Sequence, residues 1–167
     1  IETSGLSPWR SSIVSIGAVE FQNPENTFYD ECQIAEGTQI EQEALAINGF
    51  TEVQLKDASK KMHKQLVEEF INWANATGHK VFAGHNHADF DILFLRTAAN
   101  KYGLKLSVSR RVVDLHTICF YHFLRRGLNP YDAEKKSIIN ADKVFEYVGL
   151  PKEPKPHHAL NGAKFEA

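Results

Sequence analysis

The chain has 167 residues, 43% hydrophobic and 24% charged, which is enough for one domain with a sizeable core and too apolar for a disordered chain. A net charge of −2, from 19 Lys and Arg against 21 Asp and Glu, excludes a protein that coats nucleic acid along a broad basic stripe, so any such contact must be local. No apolar run approaches the roughly 20 residues of a membrane helix, no secretory leader pattern opens the sequence, and two cysteines, Cys32 and Cys119, give neither a disulfide framework nor a metal-ligand spacing, a pattern that fits a reduced, cytoplasmic setting.

Ser12–Phe21, "SIVSIGAVEF", is β-branched and apolar and predicts a strand. Asn23–Asn26, "NPEN", is turn chemistry. Thr27–Ile34 alternates as a second strand, so the two form a hairpin. Glu41–Ile47 predicts a short helix ended by Asn48-Gly49, and another short helical segment starts at Thr51. Met62–Ala76 carries apolar residues at 62, 66, 67, 70, 71, 73 and 74, a helical stripe, with Gly78 closing it. Lys80–Gly84 predicts a short buried strand, and the pattern turns helical again from about Ala88, with Phe94 and Leu95 in the core.

Arg110–Leu115 predicts another short strand, with Asp114 capping a helix over His116–Leu124. Gly127, Asn129 and Pro130 mark a loop, and Ala141–Val148 a helix stopped by Gly149. Pro151–Pro156, "PKEPKP", is a linker, and a last helix follows from His157 to the end of the chain. Leading strands followed by strands alternating with helices predict an α/β sheet covered by helices. Such sheets hold their sites at the carboxyl ends of strands.

Three separated stretches carry candidate chemistry: Glu2 with Thr3, Ser4, Gly5 and Leu6; "GHNHADFDILFL" (Gly84–Leu95) with His85, Asn86 and Asp91; and His157/His158 at the start of the final helix. Carboxylates converging from separate strand ends cannot all ionise in a dry site without a compensating cation. Hard cations such as Mg²⁺ prefer oxygen ligands. Two of them about 4 Å apart clamp the attacking and leaving oxygens of a phosphodiester. A nearby histidine has a proton affinity suited to activating water. Taken singly, each residue has a plainer reading: Glu2 as a frayed terminal acid, Asp91 as an acid favoured by a helix dipole, His85 and Asn86 as loop groups, and His157 and His158 as surface residues. The conjunction carries the functional reading.

These stretches resemble the motifs of the DEDDh (DnaQ-like) 3′–5′ exonucleases. "IETSGL" is similar to the motif D-x-E-T-T-G-L from its second residue, "GHNHADFDILFL" to H-N-x-x-x-F-D-x-x-F-L, and "HHALNGA" to H-x-A-x-x-D-A. "EALAINGFTEVQL", "VVDLHTI" and "VFEYVGLP" resemble intervening landmarks. The resemblance runs along nearly the whole chain. It implies an RNase H-like mixed five-stranded sheet with helices on both faces and the first strand largely absent. It also implies a single domain truncated at both ends, with an aspartate directly before Ile1.

The implied activity is hydrolysis of single-stranded DNA or RNA from the 3′ end, with two divalent ions, Mg²⁺ or Mn²⁺, and release of nucleoside monophosphates. The implied setting is a homodimer or a polymerase-associated subunit, away from membranes. Position by position, Glu2 and Asp91 would hold metal, and His157 would be the general base, with His158 as its fallback. Thr3, Ser4 and Gly5 would contact the terminal nucleotide through backbone and hydroxyl groups, and Leu6 would wedge against its base. His85, Asn86 and Phe90 would lie along the strand, stacking on such groups being tolerant of sequence. One departure stands out. Position 162, five after His157, carries Gly where the motif carries a metal-binding Asp. Glu166, one turn further along the same helix face, is the acid the sequence offers instead. An inactivated member, an engineered change and a rearranged site are the alternatives; a nuclease-like module that binds nucleic-acid ends or a protein partner without turnover is the second reading.

Overall fold

A computed structural model describes residues 1–109 and 111–167. Arg110, where the fourth expected strand was to begin, lies outside the described residues. Strand β1 (Glu2–Thr3) pairs antiparallel with β2 (Ile13–Glu20), which pairs antiparallel with β3 (Asn23–Glu31), from Ser15 opposite Glu31 to Glu20 opposite Asn23. The hairpin turn therefore falls at Phe21–Gln22, and the expected turn residues Asn23–Asn26 belong to β3. Pro24 is tolerated because β3 is the edge of the order β1-β2-β3, where a missing N–H breaks no ladder.

Helices α1 (Gln42–Asn48), α2 (Glu52–Leu55) and α3 (His63–Ala76) follow. Gly49 caps α1 at φ 74, and Thr51 opens α2 with a capping box closed by Gln54. Strand β4 (Ala83–Gly84) leads through a loop into α4 (Asp91–Tyr102); β5 (Val113–Asp114) leads directly into α5 (Leu115–Arg125). As expected, Asp114 caps α5, accepting from the Thr117 N–H at 3.2 Å. Helices α6 (Ala141–Val148) and α7 (Ala159–Glu166) complete the chain. β4 and β5 are parallel, so among the described residues there are five strands with both kinds of pairing, as a three-stranded and a two-stranded piece. The pieces meet through α7, which packs on β2 and reaches β4.

The α3 stripe buries Leu66, Val67, Phe70, Ile71 and Ala74 against Ile13 and Ile16 of β2 and against Phe94, Leu95, Ala98 and Ala99 of α4. Val14 packs instead with Leu45 of α1 and Leu55 of α2, so helices cover both faces of the hairpin. A satellite cluster joins Cys119 and Phe123 of α5 to Ile139 and Val144. Both cysteines are buried and unpaired, and burial pushes the Cys32 thiol up to about 12, which keeps it inert. Among the described residues no helix is long and apolar enough to cross a membrane.

Candidate functional site

Strand β1 delivers Glu2 to one end of the sheet, half-buried. The loop after it is held tightly. Ser4 is fully buried, its N–H bonded to Ser12 O at 2.8 Å and its carbonyl accepting from Glu41 N–H at 2.7 Å. Its hydroxyl donates to Gln39 O and accepts from Ser12 N–H. Every polar group of Ser4 is thus satisfied inside the protein, and the residue braces the loop. The Thr3 hydroxyl likewise donates to Gly5 O at 2.7 Å. Gly5 allows the Glu41 carboxylate to approach, since a Cβ there would lie 2.5 Å from Glu41 Oε1, and that carboxylate accepts from the Leu6 N–H. Leu6, by contrast, is 71% exposed, and Trp9 beyond it 74%.

The second stretch turns between β4 and α4 at Asn86, whose φ of 54 is left-handed. Phe90 is half-buried and packs against the main core, and Asp91 opens α4. Asp91 Oδ1 lies 2.7 Å from the ammonium of Ile1. His87, buried, faces Asp114 at 3.7 Å and Phe82 O at 3.3 Å and serves the turn rather than the site.

The third stretch is anchored by the His157 N–H bonding Ile47 O at 3.0 Å. The His157 side chain is 38% exposed, at the rim. His158 is turned away: its ring stacks on Tyr29 at 4.3 Å and its Nδ1 is buried without a partner. Glu166 reaches back from the last turn of α7, its Oε2 accepting from the His85 N–H at 3.3 Å, and Gly84 leaves the room, because a Cβ there would lie 3.1 Å from that oxygen. Glu153 is the residue that local sequence pattern missed. It sits in a proline-rich linker, where no periodicity marks which side chain turns inward. Its carboxylate lies 3.9 Å from His157 Nδ1 and against the face of Gly162.

The electrostatics tie these fragments together. Burial raises the Glu2 carboxyl above its ordinary value; the Ile1 ammonium and His157 pull it down, and Glu153 and Asp91 push it up. Burial likewise raises Glu166, to about 7, against the His85 N–H and the ammonium, with Asp91 and Glu153 adding to the rise. Glu2 and Glu166 are thus partly desolvated carboxylates, each raised further by Asp91 and Glu153. Among the described residues no group of three or more His, Cys, Asp or Glu is drawn together tightly enough to hold a metal. Carboxylate oxygens are nevertheless the ligand type that a hard divalent cation prefers.

The Glu166 shift has a measurable sign. A carboxyl raised on folding favours the native state most when protonated, so its contribution is complete below its unfolded value near 4.5 and lost as pH rises through about 7. Glu166→Gln is expected to raise stability by roughly 2 kcal/mol at pH 8. Near pH 4.5 it should change little. Thermal melts of both proteins across that window check this, and equal differences at both ends would refute it.

No family model matches the chain. It is 31% identical over all of its 167 residues to a DNA polymerase III PolC-type of Caldanaerobacter subterraneus subsp. tengcongensis and 29% identical over 99% of its length to that of Thermotoga maritima. It spans 11% of each of those proteins. Its fold superposes on E. coli exonuclease I in complex with a dA16 oligonucleotide with a TM-score of 0.70 at 16% identity, covering 99% of this chain and 37% of that one. For the nuclease domain of 3′hExo, a DEDDh family member bound to rAMP, the TM-score is 0.62 at 14% identity, over 93% and 76% of the chains. These superpositions define the fold, an α/β domain built like those two structures. The sequence likeness narrows this further: over its whole length the chain is similar to a segment of PolC-type DNA polymerase III.

Proposed function

We propose that the chain is a single exonuclease domain that removes nucleotides from the 3′ end of single-stranded DNA or RNA. The observation that carries this is that Asp91 of α4 lies against the start of β1, beside Glu2, while Glu166 of α7 reaches the loop before α4 at the His85 N–H, with the His157 side chain 38% exposed. Glu2, Asp91 and Glu166 would hold divalent cations, Mg²⁺ or Mn²⁺, which when bound supply charge compensation and fix the attacking and leaving oxygens. His157 takes a proton from the attacking water; its partial exposure leaves room for water beside the ring. The water oxygen bonds to phosphorus, the bond to the preceding nucleotide's 3′ oxygen breaks, and a nucleoside monophosphate departs. Leu6, exposed at the end of a braced loop, meets the terminal base, and His85, Asn86 and Phe90 line the path of the strand. Ser4 holds that loop in place, and Thr3 and Gly5 shape it.

The PolC-type relatives support a polymerase-associated setting in the cytoplasm, and a homodimer rests on the family resemblance alone. A second reading, a module that binds nucleic-acid ends or a protein partner without turnover, is favoured by Gly162. A 3′-labelled oligonucleotide separates the two. Mononucleotide release with Mn²⁺ and none after EDTA is the expected result; an oligonucleotide that is bound and left intact with Mn²⁺ would establish the module instead.

A further inference from the structure

We infer that a cavity between the loop after β1 and helix α4 binds a single-ring nucleobase, a pyrimidine, beside the site described above rather than within it. The cavity measures about 140 Å³, close to the roughly 150 Å³ that takes one benzene ring. It therefore has room for one ring and not for the fused pair of a purine. Ile13 and Phe94 form its apolar floor, and Pro8 and Trp9 one side. None of Glu2, Leu6, Asp91 or His157 lines it. It runs along α4 as far as Lys101, which at the helical rise per residue lies on the order of 15 Å from Asp91.

The chemistry of the wall selects a base. His63 lines the cavity and is only 6% exposed. Its Nδ1 is taken by the Tyr102 hydroxyl at 2.9 Å, and Tyr102 is not part of the wall, so the opposite edge of the imidazole is the one turned to the cavity. Nε2, on that edge, is buried and has no hydrogen-bond partner among the described residues. A buried polar atom left unpaired is costly, and a ligand group in the cavity would satisfy it. Burial lowers His63 to about 4, with the Lys101 charge adding to the fall, so the imidazole is neutral at neutral pH. Nε2 is then a donor or an acceptor according to the tautomer that Tyr102 selects. The edge of a pyrimidine alternates carbonyl oxygen with nitrogen and can pair with either. Trp9, 74% exposed, offers an indole face on which the base stacks, and the exposed Lys101 ammonium meets the phosphate. The loop that carries Trp9 is fixed: the Arg10 and Ser11 N–H groups both donate to Ser7 O, at 3.0 and 2.7 Å.

The inference rests on the nucleic-acid reading proposed above, and its test reads binding rather than turnover. Tryptophan fluorescence is titrated in EDTA with thymidine monophosphate, deoxyadenosine monophosphate, inorganic phosphate and an oligothymidylate. Trp73, the other tryptophan, donates to Asn26 and packs on Phe70, so Trp9 supplies the signal that responds. Thymidine monophosphate is expected to quench it, the adenine nucleotide to bind about tenfold more weakly, and phosphate to leave it unchanged. His63→Phe removes Nε2 and keeps a ring; Thr97→Phe fills the cavity. Each is expected to weaken thymidine monophosphate by about tenfold, with thermal melts to confirm folding. Tighter binding of the oligothymidylate with the same sensitivity assigns the cavity to a base of the strand; binding of the mononucleotide alone assigns it to free nucleotide. No quenching by either, equal quenching by the adenine nucleotide or phosphate, or wild-type affinity in both variants overturns the inference. So does thymidine monophosphate binding that Leu6→Ala removes and Thr97→Phe leaves intact, which puts the nucleotide at the catalytic end. Binding through His63 in a protein that releases no nucleotide with Mn²⁺ overturns the nuclease reading and leaves the cavity's role standing.

Discussion

His157→Ala is expected to lower kcat for mononucleotide release by about 10²–10⁴-fold, the usual contribution of a positioned general base, with a much smaller change in KM. The neighbouring histidine is the control. The His158 ring is stacked on Tyr29 and its Nδ1 is enclosed, so His158→Ala removes packing at the start of α7 rather than a proton acceptor. That variant should melt earlier and keep most of its kcat at a temperature where it is folded. The two histidines are adjacent in sequence, and the motif alignment alone leaves either available. What separates them is that His157 is tied at its backbone to Ile47 O with its side chain at the rim, while His158 faces the sheet. Rapid-quench measurement of 3′-labelled product decides it. A kcat loss confined to His158→Ala would transfer the base to that residue.

The features most legible from sequence were those fixed by local periodicity. The α3 stripe, the β2–β3 hairpin and the αL glycines at 49 and 149 all follow from spacing or from backbone conformations that glycine adopts without cost. Asn-Pro-Glu-Asn has turn chemistry in isolation, yet here it belongs to an edge strand, where proline and polar residues face water. A ligand contact for Ser4 is implied by the motif resemblance alone. Whether such a group points outward depends on Gln39 and Ser12, distant partners that no local pattern encodes. The same limit hid Glu153. The gap at Gly162 was visible in the motif, but the side chain that rests against it comes from a linker whose path is set by tertiary packing. Glu166 was legible as a substitute because one helical turn is a fixed distance, and the structure does bring it to His85.

Gly17→Val is expected to cost about 3 kcal/mol or more and to abolish activity together with stability. Glycine inside a strand loses packing and backbone entropy, so its presence in the middle of β2 signals that another backbone comes close. That backbone is the first turn of α7. A Cβ at position 17 would lie 2.2 Å from Ala159 C and Leu160 N and 2.4 Å from Ala159 O. Those atoms belong to a helix that cannot rotate away like a flexible side chain, so α7 must lift from β2 as a unit. The consequence reaches the site because α7 lies across both sheet pieces, on β2 and on β4. Lifting it withdraws Glu166 from the His85 N–H, parts Glu153 from the face of Gly162 and moves His157 off the rim. Urea melts should therefore show a lower midpoint, and an added Mn²⁺ stabilisation present in the wild type should disappear in the variant even where it remains folded. Gly17→Ala should act in the same direction with a smaller amplitude. A Gly17→Val protein with wild-type stability and Mn²⁺ response would mean that α7 is not the clamp on which this site depends.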